Sequence, residues 1–179
     1  MIRSQLHPMP VYFDRYITMT DDVEIIKAIQ TSIDELDIIP LDIWKQLGTA
    51  VYAPGKWAIH DILQHVIDTE RIFMYRALAF SRNEKQPMPS FSEDEYATVA
   101  SGTSRTIESL LEELRIVHLC FKAMFESFTP AMLVKNGVGF KGEYSVASIG
   151  FMMPGHQRWH FKMIEEKYYP LISVSGVKL

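Results

Sequence analysis

Apolar residues return every three or four positions in four separate stretches of this chain. Behind Thr20 or Asp21, either of which can N-cap a helix, the first stripe runs through Val23, Ile25, Ile26, Ile29, Ile33 and Leu36. Pro40 ends or redirects it, and Leu41 to Leu47 suits a short helix before the connection from Gly48 to Gly55. From Ala58 to Ser81 there is neither Pro nor Gly, and Ile62, His65, Val66, Thr69, Ile72, Phe73, Arg76 and Phe80 share a face. That spacing predicts a helix of roughly 24 residues, on the order of 36 Å long. The segment Asn83 to Gly102, broken by Pro87 and Pro89, reads as a long connection of the kind that often carries function.

Ser104 can cap a third long helix, with Glu108 and Glu112 early and Lys122 late, following the helix dipole. Its apolar face is Ile107, Leu110, Leu111, Leu114, Val117, Phe121, Met124 and Phe125, and Phe128 to Pro130 closes it. Asn136 to Gly142 is a turn or a short hairpin. Ser145 opens a fourth helix that reaches Tyr168 and stops at Pro170, with Pro154 and Gly155 inside it as a predicted kink. The start of the chain through Asp14 reads as an extended arm. Four long amphipathic helices predict an all-α, single-domain antiparallel bundle spanning residues 1–179, with residues 1–14 as the arm. The long connections leave room for an order other than simple up-down neighbours.

Composition narrows the function classes. The 179 residues are 47% hydrophobic and 22% charged, as in an ordinary packed domain. The net charge of -4 is well mixed, so no basic face points to nucleic acid and no polybasic tail to a membrane surface. The single cysteine, Cys120, excludes an intramolecular disulfide and a cysteine-based zinc site, and fits a reducing, cytoplasmic setting. It reads as a small core residue. Arg3, His7, Pro8 and Pro10 stand where a secretory segment would be apolar, and no run of about 18 apolar residues occurs, so neither secretion nor membrane spanning is expected.

Candidate chemistry lies in the histidines, at positions 7, 60, 65, 118, 156 and 160. His156 and His160 are four apart, which on a helix stacks two imidazoles on one face within reach of one metal ion. The pair alone is a weak motif. His65 strengthens it, because it lies on the apolar side of the second long helix, where a facing helix could present it to the pair. The competing reading of His65 is a core histidine bonded to a carbonyl or carboxylate. His60 is expected on the surface at its helix start, and His7 has no assigned role.

The run Lys56-Trp57-Ala58-Ile59-His60-Asp61-Ile62-Leu63-Gln64-His65-Val66-Ile67-Asp68-Thr69-Glu70-Arg71, followed by Tyr75-Arg76-Ala77-Leu78, resembles the second-helix signature of the DinB/YfiT-like family. Met88-Pro89-Ser90-Phe91 and Glu95-Tyr96-Ala97 are similar to that family's loop. Gly155-His156, with His160 near Glu166-Lys167-Tyr168, is similar to its fourth-helix motif. The resemblance runs from about Tyr12 to Pro170. It implies an up-down-down-up four-helix bundle in which His65, His156 and His160 bind one divalent metal ion such as nickel or zinc, and it implies a homodimer. Relatives are described as metal-dependent hydrolases or as users of low-molecular-weight thiols such as bacillithiol or mycothiol. Two departures stand out: Trp159 replaces a histidine that many relatives carry before the last ligand, and His118 stands where arginine is frequent.

Three neutral imidazoles leave the charge of a bound ion uncompensated and at least one coordination position open, as in catalytic sites. A water or thiol held there becomes a stronger acid. Transfer of a small-molecule thiol to an electrophile is the expected activity, because YfiT-like bundles resemble bacillithiol transferases and no clear general base is visible beside the histidines. Hydrolysis is the alternative, and a non-catalytic metal-binding, stress-linked interaction bundle is the reading from another class. Asp68, Glu70 and Arg76 are candidates for supporting roles: Asp68 or Glu70 to orient an imidazole or take a proton, Arg76 to hold a substrate carboxylate. Each has an ordinary alternative as a surface or buried ion-pair residue.

Overall fold

Each of the four apolar stripes is a helix in the computed structural model, which describes residues 1–174. In chain order the elements are α1 (Asp14–Ile17), α2 (Ile25–Asp34), α3 (Leu41–Leu47), α4 (Ile59–Ser81), α5 (Glu93–Ala100), α6 (Ile107–Glu126), α7 (Pro130–Leu133), β1 (Asn136–Gly139), β2 (Gly142–Ser145), α8 (Val146–Lys167) and α9 (Tyr169–Val174). Local chemistry sets their ends. Asp61 accepts the Ala58 N–H at the start of α4, Thr106 Oγ1 accepts the Ser109 N–H at the start of α6, and Ser145 Oγ accepts the Ser148 N–H at the start of α8. The cap of α6 is therefore Thr106; Ser104, the expected cap, lies in a 3-10 turn over Gly102–Ser104. Thr20 closes α1 by donating to the Ile17 carbonyl, so α2 begins later than expected, at Ile25.

Side-chain pairs give the helix directions. Arg105, just before α6, donates to Gln64, and Arg71 pairs with Glu113, so α4 and α6 run the same way. Phe80 meets Tyr144 while His65 meets His156, so α8 runs against α4. Gly150 packs on Ile25 and Gln157 donates to the Ser32 carbonyl, so α2 and α8 are parallel. The bundle is up-down-down-up. Parallel neighbours α4 and α6 require a connection that returns along the bundle, which explains the length of residues 82–106.

The interior is two apolar clusters separated by a polar layer. One is built around Phe73, Phe80, Phe121, Phe125, Phe151 and Ile29. The other is built around Ile59, Leu63, Ile67, Leu114, Ile164 and Tyr168. Between them every long helix contributes buried or half-buried polar side chains: Glu35 follows α2, His65, Thr69 and Glu70 come from α4, His118 from α6, and His156, Gln157 and His160 from α8.

Four further expectations need correction. The connection after α4 holds a helix of its own, α5, introduced by Ser92, whose Oγ accepts the Glu95 N–H. His60 is buried, because the turn at Gly102 lies against its carbonyl. Cys120 is exposed: at 100° per residue it falls off the buried stripe of Val117 and Phe121, onto the side of α6 that carries exposed Ile116 and Leu119. The arm is not extended throughout, since Arg3–Gln5 is a 3-10 turn and Leu6 and Phe13 are core residues. Asn136 to Gly142 is part of the β1–β2 hairpin, which pairs Asn136 with Ser145.

α8 continues unbroken through Pro154 and Gly155. A Cβ at Gly155 would stand 1.8 Å from the backbone carbonyl oxygen of Tyr16, so only glycine lets α1 lie against α8. Gly155→Ala must push these backbones apart and is expected to cost about 3 kcal/mol in urea unfolding. An unchanged unfolding midpoint would contradict this approach of α1.

Candidate metal centre

His65 projects from the middle of α4, and one turn of α8 separates His156 from His160. Their Nε2 atoms converge: His65 to His156 is 3.2 Å, His156 to His160 is 3.0 Å, and one ligand atom from each of the three lies within 4.8 Å of the others. Nitrogens about 2.0 to 2.1 Å from one ion would be roughly 3.4 Å apart around a four-coordinate centre and roughly 2.9 Å apart at right angles around a six-coordinate one. The two short separations match that range. Direct hydrogen bonding explains them poorly, because the single His156 Nε2 has one proton or one lone pair and two partners. All three rings are buried. Trp57 lies 4.8 Å from the His65 ring, and Tyr16 meets the His156 ring edge-on at 5.0 Å, so aromatic rings flank the cluster.

The donor set fits a divalent ion. Burial lowers the His65 pKa to about 4. Burial, with the nearby His65, lowers that of His160 to about 3. Burial, with the charges of His160 and His65, brings His156 well below its ordinary value. Three neutral imidazoles at neutral pH are what a metal ion requires of its ligands. His65 Nδ1 lies 3.4 Å from Thr69 Oγ1, a partner that leaves Nε2 free to bind. His160 Nδ1 is buried with no hydrogen-bond partner among the described residues, a cost of about 1 to 3 kcal/mol that a metal bond at Nε2 would offset.

The other histidine of the layer is occupied differently. His118 Nδ1 meets Glu70 at 2.8 Å, and its Nε2 meets Gln157 Oε1. Gln157 donates from Nε2 to the Ser32 carbonyl and Glu35, which fixes its oxygen toward His118. Both ring nitrogens therefore face acceptors. Burial pulls the His118 pKa down, but the charge and hydrogen bond of Glu70, helped by Gln157, outweigh it and leave the pKa raised. His118 is held in a closed pair with Glu70. Glu70 is thus committed to His118, away from the three-histidine cluster. Asp68, half-buried, accepts from Gln64 Nε2, with Arg71 at 4.0 Å. Neither acid is brought to the cluster.

Arg76 instead lines a pocket of about 290 Å³ together with His65, Thr69, Phe73, Met152 and His156. Glu93, which sequence reasoning missed, lies on the same pocket with its Oε2 4.0 Å from His65 Nε2. Its position follows from the connection: Met88 N–H donates to the Val138 carbonyl of the hairpin, Arg76 donates to the Pro89 carbonyl, and Ser92 then caps α5 at Glu93. The spacing of Ser92 and Glu95, a helix-start signature, was the local signal for this turn. Trp159 is outside the cluster and packs on Tyr16.

Residues 26–164, more than three quarters of the chain, match the sequence profile of the DinB superfamily. The chain belongs to the DinB superfamily. Over 155 residues it is 24% identical to the "putative metal-dependent hydrolase" of Oceanobacillus iheyensis, a match spanning 83% of this chain and 86% of that protein. The solved structure of YfiT from Bacillus subtilis, described as "a probable metal-dependent hydrolase with an unusual four-helix bundle topology", superimposes with a TM-score of 0.66. That superposition covers 89% of this chain and 87% of that one at 14% identity, a likeness of fold.

The depressed histidine pKa values in this DinB protein set a pH dependence. Between the folded values and the unfolded value near 6.5, the unfolded chain binds more protons, so stability is lost as pH falls through that window. For the metal-free protein, His65 alone accounts for on the order of 3 kcal/mol between pH 7 and pH 4. The melting temperature without metal is expected to fall steadily from about pH 6.5 to pH 4. A flat profile there would show the imidazoles to be solvated and ordinary.

Proposed function

We propose that this DinB protein is a metal-dependent enzyme whose divalent ion is held by His65, His156 and His160. The observation that carries the proposal is the convergence of three buried Nε2 atoms on one point beside a pocket. A divalent ion there supplies a Lewis acid with open positions, at which a water or a thiol becomes a stronger acid. The chain's own residues do the rest. His65, His156 and His160 would hold the ion, Trp57 and Tyr16 pack their rings against the histidines, and Glu93 Oε2, 4.0 Å from His65 Nε2, would take the proton of a nucleophile in the pocket.

Hydrolysis is the activity that a carboxylate beside the ion supports, and it accords with how the relatives are described. Glu93 is a base beside the histidines that the sequence pattern does not reveal. Thiol transfer is the second reading, favoured by a separate feature: His160 borders another cleft of about 290 Å³, lined by Lys56, Trp57 and Asp94, so two substrates can reach the ion from different sides. A thiol of ordinary acidity can lose its proton to solvent and needs no protein base.

Zinc- and nickel-loaded protein should be assayed for ester hydrolysis and for bacillithiol conjugation to a test electrophile. His156→Ala is expected to lose both metal and turnover. Glu93→Gln is expected to keep the metal, lower hydrolysis by about 100-fold and leave thiol transfer near wild type. Turnover that survives complete metal removal would overturn the proposal.

A further inference from the structure

One permanently charged side chain lines the pocket three helical turns along α4 from His65. His65, Thr69, Phe73 and Arg76 all line it, and steps of four, four and three along α4 keep them on one face. Arg76 stands eleven residues beyond His65, about 16 Å of axial rise between their Cα atoms, and helical side chains lean back toward the N-terminus, so its head group approaches the histidines. It is 1% exposed. Among the described residues it has two acceptors, the Tyr144 hydroxyl at 3.3 Å and the Pro89 carbonyl at 2.8 Å, and its guanidinium lies over the Phe73 ring at 4.5 Å. No described carboxylate comes within ion-pair reach of it. A guanidinium has five N–H donors and does not deprotonate, so this is a buried permanent charge with donors left over and no counter-ion.

Buried arginines are ordinarily paired, because an uncompensated charge in a dry setting costs several kcal/mol. The acids of this pocket, Glu93 and Asp94, lie at α5, and Glu93 is near the histidines. Phe73, Met152, Met153, Phe91 and Phe140 supply apolar wall. The pocket therefore combines apolar wall, a carboxylate beside the candidate metal ligands, and an unpaired cation farther along α4.

We infer that the pocket takes an amphipathic carboxylic acid, with its carboxylate on Arg76, its apolar body against Phe73, Met152 and Phe140, and its uncharged reacting group toward the three histidines. Arg76 is a specificity-determining residue that selects for the anion at a distance from the chemistry. The inference rests on the metal assignment above only for which end reacts; the anion preference belongs to Arg76 and needs no metal.

The test uses two probes of equal shape, 4-phenylbutyrate and its uncharged amide, titrated calorimetrically into the full chain, zinc-loaded and chelator-treated, with zinc content measured on each sample. The acid is expected to bind at least about tenfold more tightly than the amide in both states, as a charge-assisted, two-point contact implies. Arg76→Lys, which keeps the charge and loses the planar fork, is expected to weaken acid binding by about tenfold and leave amide binding unchanged. The wild-type comparison stands whether or not the variant folds. Equal affinity for acid and amide in the metal-free protein, or binding of neither, overturns the inference. A preference that exists only with zinc also overturns it, because the carboxylate then sits on the ion. Failure of the protein to take up zinc with the acid preference intact counts against the metal assignment and supports the role of Arg76.

Discussion

The constraint on which this structure depends is the burial of a polar layer across the middle of a helical bundle. Two apolar clusters close above and below it, so each imidazole, carboxylate and amide between them must find a partner inside the protein or remain at a cost of kilocalories. The layer solves this in two ways. On one side, Glu70, His118, Gln157, Ser32 and Glu35 satisfy one another and tie α2, α4, α6 and α8 together. On the other side, three neutral imidazoles face one another with no acceptor that could serve them all. The closed half holds four helices in register, and that register brings His65 opposite His156 and His160.

Function follows from the contrast between the halves. A satisfied network such as Glu70 and His118 has nothing left to offer a ligand. The open half has three lone pairs, flanking aromatic rings and a pocket that leads away along α4 and α8. The up-down-down-up order contributes directly, because the long return connection it demands is the segment that brings Glu93 to the rim and the Pro89 carbonyl to Arg76.

The helices of the bundle were legible because a helix packed on one side shows its burial as a 3.6-residue rhythm. The ends of α4 and α8 were legible for the same local reason, a breaker or cap beside the stripe. The three histidines were legible only as a set: His156 and His160 through their spacing, His65 through its place on an apolar face. What escaped was set by contacts between distant segments. Glu70 and His118 are 48 residues apart, and nothing near either foretells the pair. His60 is buried by a turn some forty residues later, around Gly102. Leu6 and Phe13 join the core although no periodicity marks the arm. α5 contributes no buried side chain, so it carries no stripe, and its capping serine was the one available sign.

X-ray absorption spectroscopy of the zinc-loaded protein counts the imidazoles around the ion. Three imidazole nitrogens are expected at roughly 2.0 to 2.1 Å, with the remaining positions filled by light atoms. A shell containing sulfur from Cys120, or no more than one imidazole, would contradict the three-histidine site.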